Sequence, residues 1–392
     1  MSFTNITVTG HGRRVENEYL FPASEFIGRK QKILDLLDKR GLDGIAIYSG
    51  GLTRQYACYL TNTYNGVALA CSILLVLKSG KVVKMGTTSN RNVPKTKKIA
   101  QGSISLLESI ETYPVGLSLV SNEHISARTV EYMEKENLLG LKWGSANFAS
   151  LPFVALAPWE EAFPGGLADC TAEMEEMIGV KNKREIMAIA QASAMARRGV
   201  YEFLRCAEAG TNEMRLSADI DRLCRMDAAD DVSVLAYSGK EGKLMLRIPH
   251  DRVLEEGDTV AVFINTTLQR YNGIFGASAV VGPESPEQKA LSDEAEEIFE
   301  AQVREYALSR SAVTGQHRLV SLTGSEYDVI LGGTGMELVE YPNRQGEAAG
   351  LLPGMVLSLS LCMNKPGIGC KLVSENILMT ENSALRLGNP SI

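Results

Sequence analysis

The chain has no paired-cysteine motif, no long hydrophobic run and no excess of positive charge, and each absence removes a class of function. Its cysteines, Cys58, Cys71, Cys170, Cys206, Cys224, Cys362 and Cys370, are odd in number, scattered and without a CxxC pair. That distribution points to reduced thiols acting as buried filler and argues against a disulfide framework or a zinc site. No apolar stretch approaches the roughly 18 residues of a membrane span. A net charge of −7 argues against general binding to nucleic acid or to a membrane surface. The opening stretch MSFTNITVTGHGRRVENEYLF has no charged-then-apolar leader, so the expectation is a cytoplasmic protein. Histidine is scarce as well: His11, His124, His250 and His317 are all there are.

What is present suits two globular domains. The 392 residues, 45% hydrophobic and 22% charged, are enough for two cores of ordinary size. In the first half, Glu25–Lys39 sets Ile27, Ile33, Leu34 and Leu37 on one helical face, and Gly41 ends it. Ile45–Tyr48 reads as a buried strand and Ser72–Met85 as a hairpin turning at Ser79-Gly80. A helix near Lys95–Ser109, a strand at Gly116–Val120 and a helix from about His124 to Asn137 follow. Trp143–Leu167 reads as an irregular close. The alternation predicts an α/β domain.

The second half begins after a polar joint over Asp169–Met177. From Lys181, apolar residues Ile186, Ile189, Ala190, Ala194, Val200, Phe203 and Leu204 recur at helical spacing, and Gly210 closes the run. Thr211 or Asn212 caps a further helix to about Met226. Three motif stretches follow: Ser238–Asp258 (SGKEGKLMLRIPHDRVLEEGD), Gly257–Gly282 (GDTVAVFINTTLQRYNGIFGASAVVG) and Leu331–Pro342 (LGGTGMELVEYP). Leu352-Pro353-Gly354-Met355-Val356 and Ser374–Glu381 complete the set.

These stretches, together with AGTNE at Ala209–Glu213, GLDGIAIYS and Tyr59-Leu60-Thr61, resemble the creatinase and Xaa-Pro aminopeptidase (prolidase) family. The resemblance covers nearly the whole chain beyond the first twenty or so residues. It implies an α/β (α+β) fold of two domains: an extension over 1–22, a smaller amino-terminal domain over 23–170 and a "pita-bread" domain over 171–392. It also implies a homodimer in which Arg54–Asn65 can lend residues to the partner's site, although a structured loop carrying core tyrosines is an equal reading of that segment.

The same resemblance locates a metal site whose ligands are missing. The family pattern G-H-G-x-G-L-x-x-H-E-x-P matches here at Gly333, Gly335, Met336, Glu340 and Pro342, with Gly332 and Val339 in its two histidine slots. The five ligand slots read Asn265, Gly276 (or Ile274, on a shorter loop count), Gly332, Ser360 and Ser374, and the family's substrate-binding histidine reads Leu246. One neutral amide cannot replace bridging carboxylates around hard divalent cations. The expectation is therefore no metal and no other cofactor.

Remaining chemistry would fall to other side chains. Glu340, the intact glutamate of the H-E-x-P motif, and His250 are the acid–base candidates; a structural carboxylate and a solvated turn histidine are their plain alternatives. Arg247, beside the vacant histidine slot, suits a substrate carboxylate. Asn265, Tyr271, Glu337, Tyr341, Ser360 and Ser374 complete the candidate lining, and Lys371 sits beside the family's arginine slot at Leu372. Three functions compete. The first is a metal-independent enzyme on a small polar molecule, hydrolysing a C–N bond as creatinase does or acting as an acid–base lyase. The second is a non-catalytic pseudo-peptidase that binds a ligand or a protein. The third is a metallopeptidase with remodelled ligands.

Overall fold

The computed structural model describes residues 5–9, 12–16, 21–50, 53, 55–61, 71–86, 110–114, 121–240, 244–321 and 323–387. The chain forms two compact units, Met1–Ile178 and Gly179–Ile392.

In the first unit, β1 (Asn5–Thr9) and β2 (Gly12–Glu16) make a two-stranded ribbon. Helix α1 (Ala23–Arg40) ends on Gly41 in the left-handed conformation. Ile33 and Leu37 are buried as expected, but Ile27 is exposed and Phe26 takes its place on the inner face. Strand β3 (Gly44–Gly50), helix α2 (Gln55–Thr61) and the hairpin β4 (Cys71–Leu77) and β5 (Val82–Gly86) follow. Next come β6 (Ile110–Pro114), α3 (Ser121–Lys135) and β7 (Trp143–Ala146). The unit closes with α4 (Ala157–Ala162), β8 (Ala168–Asp169) and α5 (Thr171–Gly179). The six-stranded sheet runs β6-β5-β4-β3-β7-β8 and is antiparallel only across β3, β4 and β5.

The helix expected at Lys95–Ser109 and the strand at Gly116–Val120 lie outside the described residues. The stretch read as irregular contains β7, and the polar joint is largely helix α5. The described part of the proposed lending segment is helix α2, whose residues Tyr56 to Thr61 are all buried. Arg29 of α1, itself buried, donates to the Tyr59 carbonyl at 2.9 Å. Tyr56 and Tyr59 are core residues.

The second unit opens with α6 (Lys183–Cys206), which starts in a reciprocal capping box of Asn182 and Glu185. Helix α7 (Glu213–Met226) is capped by Asn212. The strands are β9 (Asp231–Gly239), β10 (Thr259–Leu268) and β11 (Tyr271–Val280), then, after α8 (Pro286–Ser309), β12 (Ser311–Val313), β13 (Gly315–Val320) and β14 (Glu326–Gly333). They end with β15 (Ala348–Gly350), β16 (Val356–Lys365), β17 (Gly369–Met379) and β18 (Ala384–Arg386). Seven strands form an antiparallel path, β13-β14-β16-β17-β11-β10-β9, with β18 attached to β17.

Helices cover the outer face of this sheet. Leu291, Phe299 and Val303 of α8 pack on Leu357, Leu359, Leu361, Val373 and Ile377. Ala196, Val200 and Phe203 of α6, with Leu216 and Ile220 of α7, pack on Val260, Val262, Ile264 and Phe275. Burial of each such aliphatic side chain stabilises the fold by roughly 1.5–3 kcal/mol. Gly273 permits the closest helix–sheet approach, since a Cβ there would lie 2.0 Å from the Ser193 nitrogen.

The connection between β9 and β10 is held by buried polar groups. Glu213 accepts the Ser238 hydroxyl, Arg247 Nη1 at 3.3 Å and the His250 N–H at 2.8 Å. Arg252 donates twice to Asp258, at 2.6 and 3.1 Å, and once to Ser238 Oγ at 3.1 Å. Burial raises the Asp258 carboxyl, but the Arg252 guanidinium and the Glu255 N–H outweigh it and hold its pKa below the ordinary value.

Two outcomes follow. Gly273→Ala should lower stability by roughly 3 kcal/mol, because helix backbone rather than a mobile side chain is in the way; chemical denaturation measures it. A carboxyl whose folded pKa is depressed stabilises above its unfolded pKa and loses that contribution as pH falls through the folded value. Denaturation midpoints should therefore fall with acidification below the ordinary carboxylate range, and Asp258→Asn should be less stable at neutral pH with a shallower acid slope.

Candidate functional site

Alternation across the sheet decides which residues face inward. On β16 the odd-numbered Leu357, Leu359, Leu361 and Met363 are buried under α8. Ser358, Ser360, Cys362 and Asn364 therefore point to the opposite, half-exposed face. Register extends that face. Gly276 is paired with Ser374, Ser374 with Ser360, Gly332 with Ser358, and Asn265 with Ile274, two residues from Gly276 on the same side. All five slots inferred from sequence, Asn265, Gly276, Gly332, Ser360 and Ser374, thus lie on one face. Because Gly276 directly adjoins Ser374, it and not Ile274 continues the row.

The side chains on that face do not form a cation site. Ser360 and Ser374 Oγ lie 2.6 Å apart and hydrogen-bond each other. A side chain at Gly276 would be crowded: a Cβ there would meet Leu372 Cδ2 and Ser374 Cβ, each at 3.0 Å, so both would have to shift. Leu372 belongs to an apolar cluster with Leu244, Ala261 and Cys370, against which Leu246, Phe263, Tyr237 and Cys362 pack. Burial pushes the Cys362 and Cys370 thiols up to about 12, so neither supplies a thiolate at neutral pH. Asn265 Nδ2 donates to Asn272 Oδ1 at 2.9 Å, and Asn272 Nδ2 donates to the Gly335 carbonyl at 3.0 Å. That relay orients both amides and leaves Asn265 Oδ1 buried without a hydrogen-bond partner. Among the described residues, no three His, Cys, Asp or Glu side chains are arranged to hold a metal ion. A dinuclear divalent centre needs several carboxylates and an imidazole, and this donor set does not fit one.

The two acid–base candidates sit in different surroundings. Glu340 Oε2 accepts Lys181 Nζ at 2.5 Å in an ion pair whose side chains are only 2% and 1% exposed, and Oε1 accepts the Glu337 N–H at 2.9 Å. Through these bonds Glu340 ties the start of the second unit to the 334–340 turns. His250 bonds through its backbone while its side chain is exposed. Arg247 is not a free clamp: Nη1 bonds Glu213 and the Ala236 carbonyl at 3.0 Å. Tyr271 is buried and donates to Glu185 at 2.8 Å, locking the hairpin to the first turn of α6. Glu337 is half-exposed in the turn that Glu340 organises, and Tyr341 packs partly on the α8 core. Lys371 faces the helix side, where burial lowers its pKa and Nζ donates to the Ser278 carbonyl at 3.0 Å.

Residues that motif reading left out carry much of this arrangement. Lys181, Glu185 and Glu213 hold the candidate polar residues in structural bonds, and Leu372 and Phe263 fill the inner face. Glu213 was visible as part of AGTNE, and the apolar character of Leu246 and Leu372 stood in the motif positions themselves; no local signal marks Lys181 as the partner of Glu340.

Comparison with known proteins agrees with the fold. Residues 187–381 match the model of metallopeptidase family M24. Xaa-Pro dipeptidases of Pyrococcus horikoshii and Pyrococcus furiosus are each 26% identical, over 227 residues (55% of this chain) and 221 residues (53%) respectively. These matches span less than two thirds of the relatives, 64% and 62% of their lengths. Among solved structures, the prolidase of Pyrococcus horikoshii OT3 aligns with a TM-score of 0.68 at 19% identity, covering 92% of this chain and 98% of that one. The X-Pro aminopeptidase of Thermotoga maritima MSB8 aligns at 0.70 and 17%, covering 92% and 97%. The two-unit, mixed α/β architecture is the one these structures share, and residues 187–381 of this chain are those that match metallopeptidase family M24.

Proposed function

We propose that this protein is an M24 member that does not perform dinuclear metallopeptidase chemistry and that uses the inner face of its second unit to bind a ligand. One observation carries the reading: the ligand row Gly276–Ser374–Ser360 is closed by a serine–serine hydrogen bond and by Leu372 against the glycine. A vacated metal site that kept its shape would leave room for carboxylates there.

A C–N hydrolase or acid–base lyase on this fold needs a group that exchanges protons on the inner face. Glu340 is held by Lys181 and His250 is exposed, so the geometry supports binding over turnover. Hydrolysis of Xaa-Pro dipeptides, after the names of the Pyrococcus relatives, is the competing reading. The proposal retains a homodimer and a small-molecule ligand, as the family resemblance implies.

Elemental analysis and a dipeptidase assay test it together. The purified chain, incubated with manganese, cobalt or zinc and then desalted, should retain no stoichiometric metal and release no proline from Xaa-Pro dipeptides. Metal-dependent release would overturn the proposal. Glu340→Gln should cost roughly 3–5 kcal/mol of stability, since it removes the carboxylate from a buried ammonium. Replacing both partners, Lys181→Met with Glu340→Leu, should restore most of that loss in a denaturation measurement. A Glu340→Gln variant of unchanged stability would remove the structural assignment.

A further inference from the structure

The sheet of the second unit ends on β13, and the far side of that strand is an open edge. Backbone N–H and C=O groups of successive strand residues point alternately to the two sides. The Ser321 N–H donates to the Ser325 carbonyl at 2.9 Å and continues the β13–β14 register, so odd-numbered residues of β13 bond β14. Even-numbered Gln316, Arg318 and Val320 therefore direct their backbone groups away from the sheet.

Part of this edge is already satisfied. The Gln316 N–H donates to Gln345 Oε1 at 3.1 Å, and Gln345 Nε2 donates to the Gln316 carbonyl at 3.1 Å. A side-chain amide thus makes the two bonds that an added strand would make there. Among the described residues, no group does the same for the Arg318 or Val320 backbone. The flanking side chains are open too: Leu319 is 42% and Val320 65% exposed. Such an edge is a template for pairing.

We infer that this edge pairs with β13 of a second copy of the chain, antiparallel about a two-fold axis through Leu319. Outward residues must meet outward residues, and that limits the register. Any register that uses Gln316 displaces the Gln345 amide, and the one with Arg318 facing itself also opposes two guanidiniums. With Val320 facing itself, Arg318 lies beyond the end of the other strand and stays unpaired. With Leu319 facing itself, Arg318 of each copy exchanges both bonds with Val320 of the other, and Gln345 stays in place. Across that junction the row reads Asp328, Arg318, then Val320 and Glu326 of the other copy, so no like charges are opposed. The Arg318–Asp328 pair, at 2.9 and 3.2 Å, is kept. A second copy also suits the opening better than a longer peptide. β13 ends at Val320 and the chain turns back into β14 at Glu326, whereas an extended peptide running on past Arg318 would meet Gln345. One short strand pair buries less than the roughly 1,200 Å² of a stable interface, so the association is weak.

Sedimentation velocity of the full chain, in a concentration series up to about 1 mM, tests this. The unmodified chain should associate reversibly as concentration rises. Leu319→Lys and Leu319→Glu each place like charges on the axis and should weaken that association about tenfold, whereas an equimolar mixture of the two should restore it. Val320→Pro removes an outward N–H that β14 does not use, and should weaken it as well. Circular dichroism checks the fold of each variant, and all are compared at equal concentration, so an interface elsewhere on the chain contributes equally. Absence of concentration-dependent association, an unchanged Leu319→Lys variant, or a mixture that stays dissociated would each overturn the inference. So would binding of a synthetic GQHRLV peptide to a chain that does not self-associate, which would make the occupant an extended peptide.

Discussion

A sheet covered by helices on one side leaves its residues no choice of face. In the second unit α6, α7 and α8 bury one side of the seven-strand path, so each strand must present its remaining residues to the other side. A one-residue slip in β16 would bring Ser358 and Ser360 under α8 and turn Leu357 and Leu359 to solvent. Hydrophobic burial along the outer face thereby holds five residues from five strands on one inner surface. That constraint, not any bond among the five, holds these positions together on the frame.

The residues at these positions are mutually consistent. Carboxylates clustered without metal would repel one another and lose hydration; a hydroxyl pair, a glycine and a leucine carry neither cost. Leu372 fills the space that a side chain at position 276 would need, and Leu246, in the histidine slot, packs on the same cluster. A side chain restored at position 276 would therefore press on Leu372 and Ser374, and any single restored ligand would join an incomplete donor set.

Polar chemistry persists where it organises backbone. Glu340 joins Lys181 across 159 residues of sequence, Tyr271 reaches Glu185, and Glu213 gathers Ser238, Arg247 and His250. Each is buried or partly so and satisfied by a partner distant in the chain. On the inner face the strands β10, β11, β16 and β17 carry no charged residue, whereas Arg318, Glu326 and Asp328 lie towards the β13 edge.

The sequence by itself determined the family frame, because glycines, prolines and strand periodicity are local consequences of backbone geometry. The α1 helix, the β4–β5 hairpin and a cap at Thr211 or Asn212, which is Asn212, were legible without coordinates. The roles of Glu340, Arg247, Tyr271 and His250 were not. An ionisable side chain can face a pocket, a counter-ion or water, and nothing adjacent in sequence says which. Only tertiary structure decided that Glu340 meets Lys181, that Arg247 meets Glu213 and that Leu372 stands over Gly276, since these contacts join residues brought together by sheet register and helix packing.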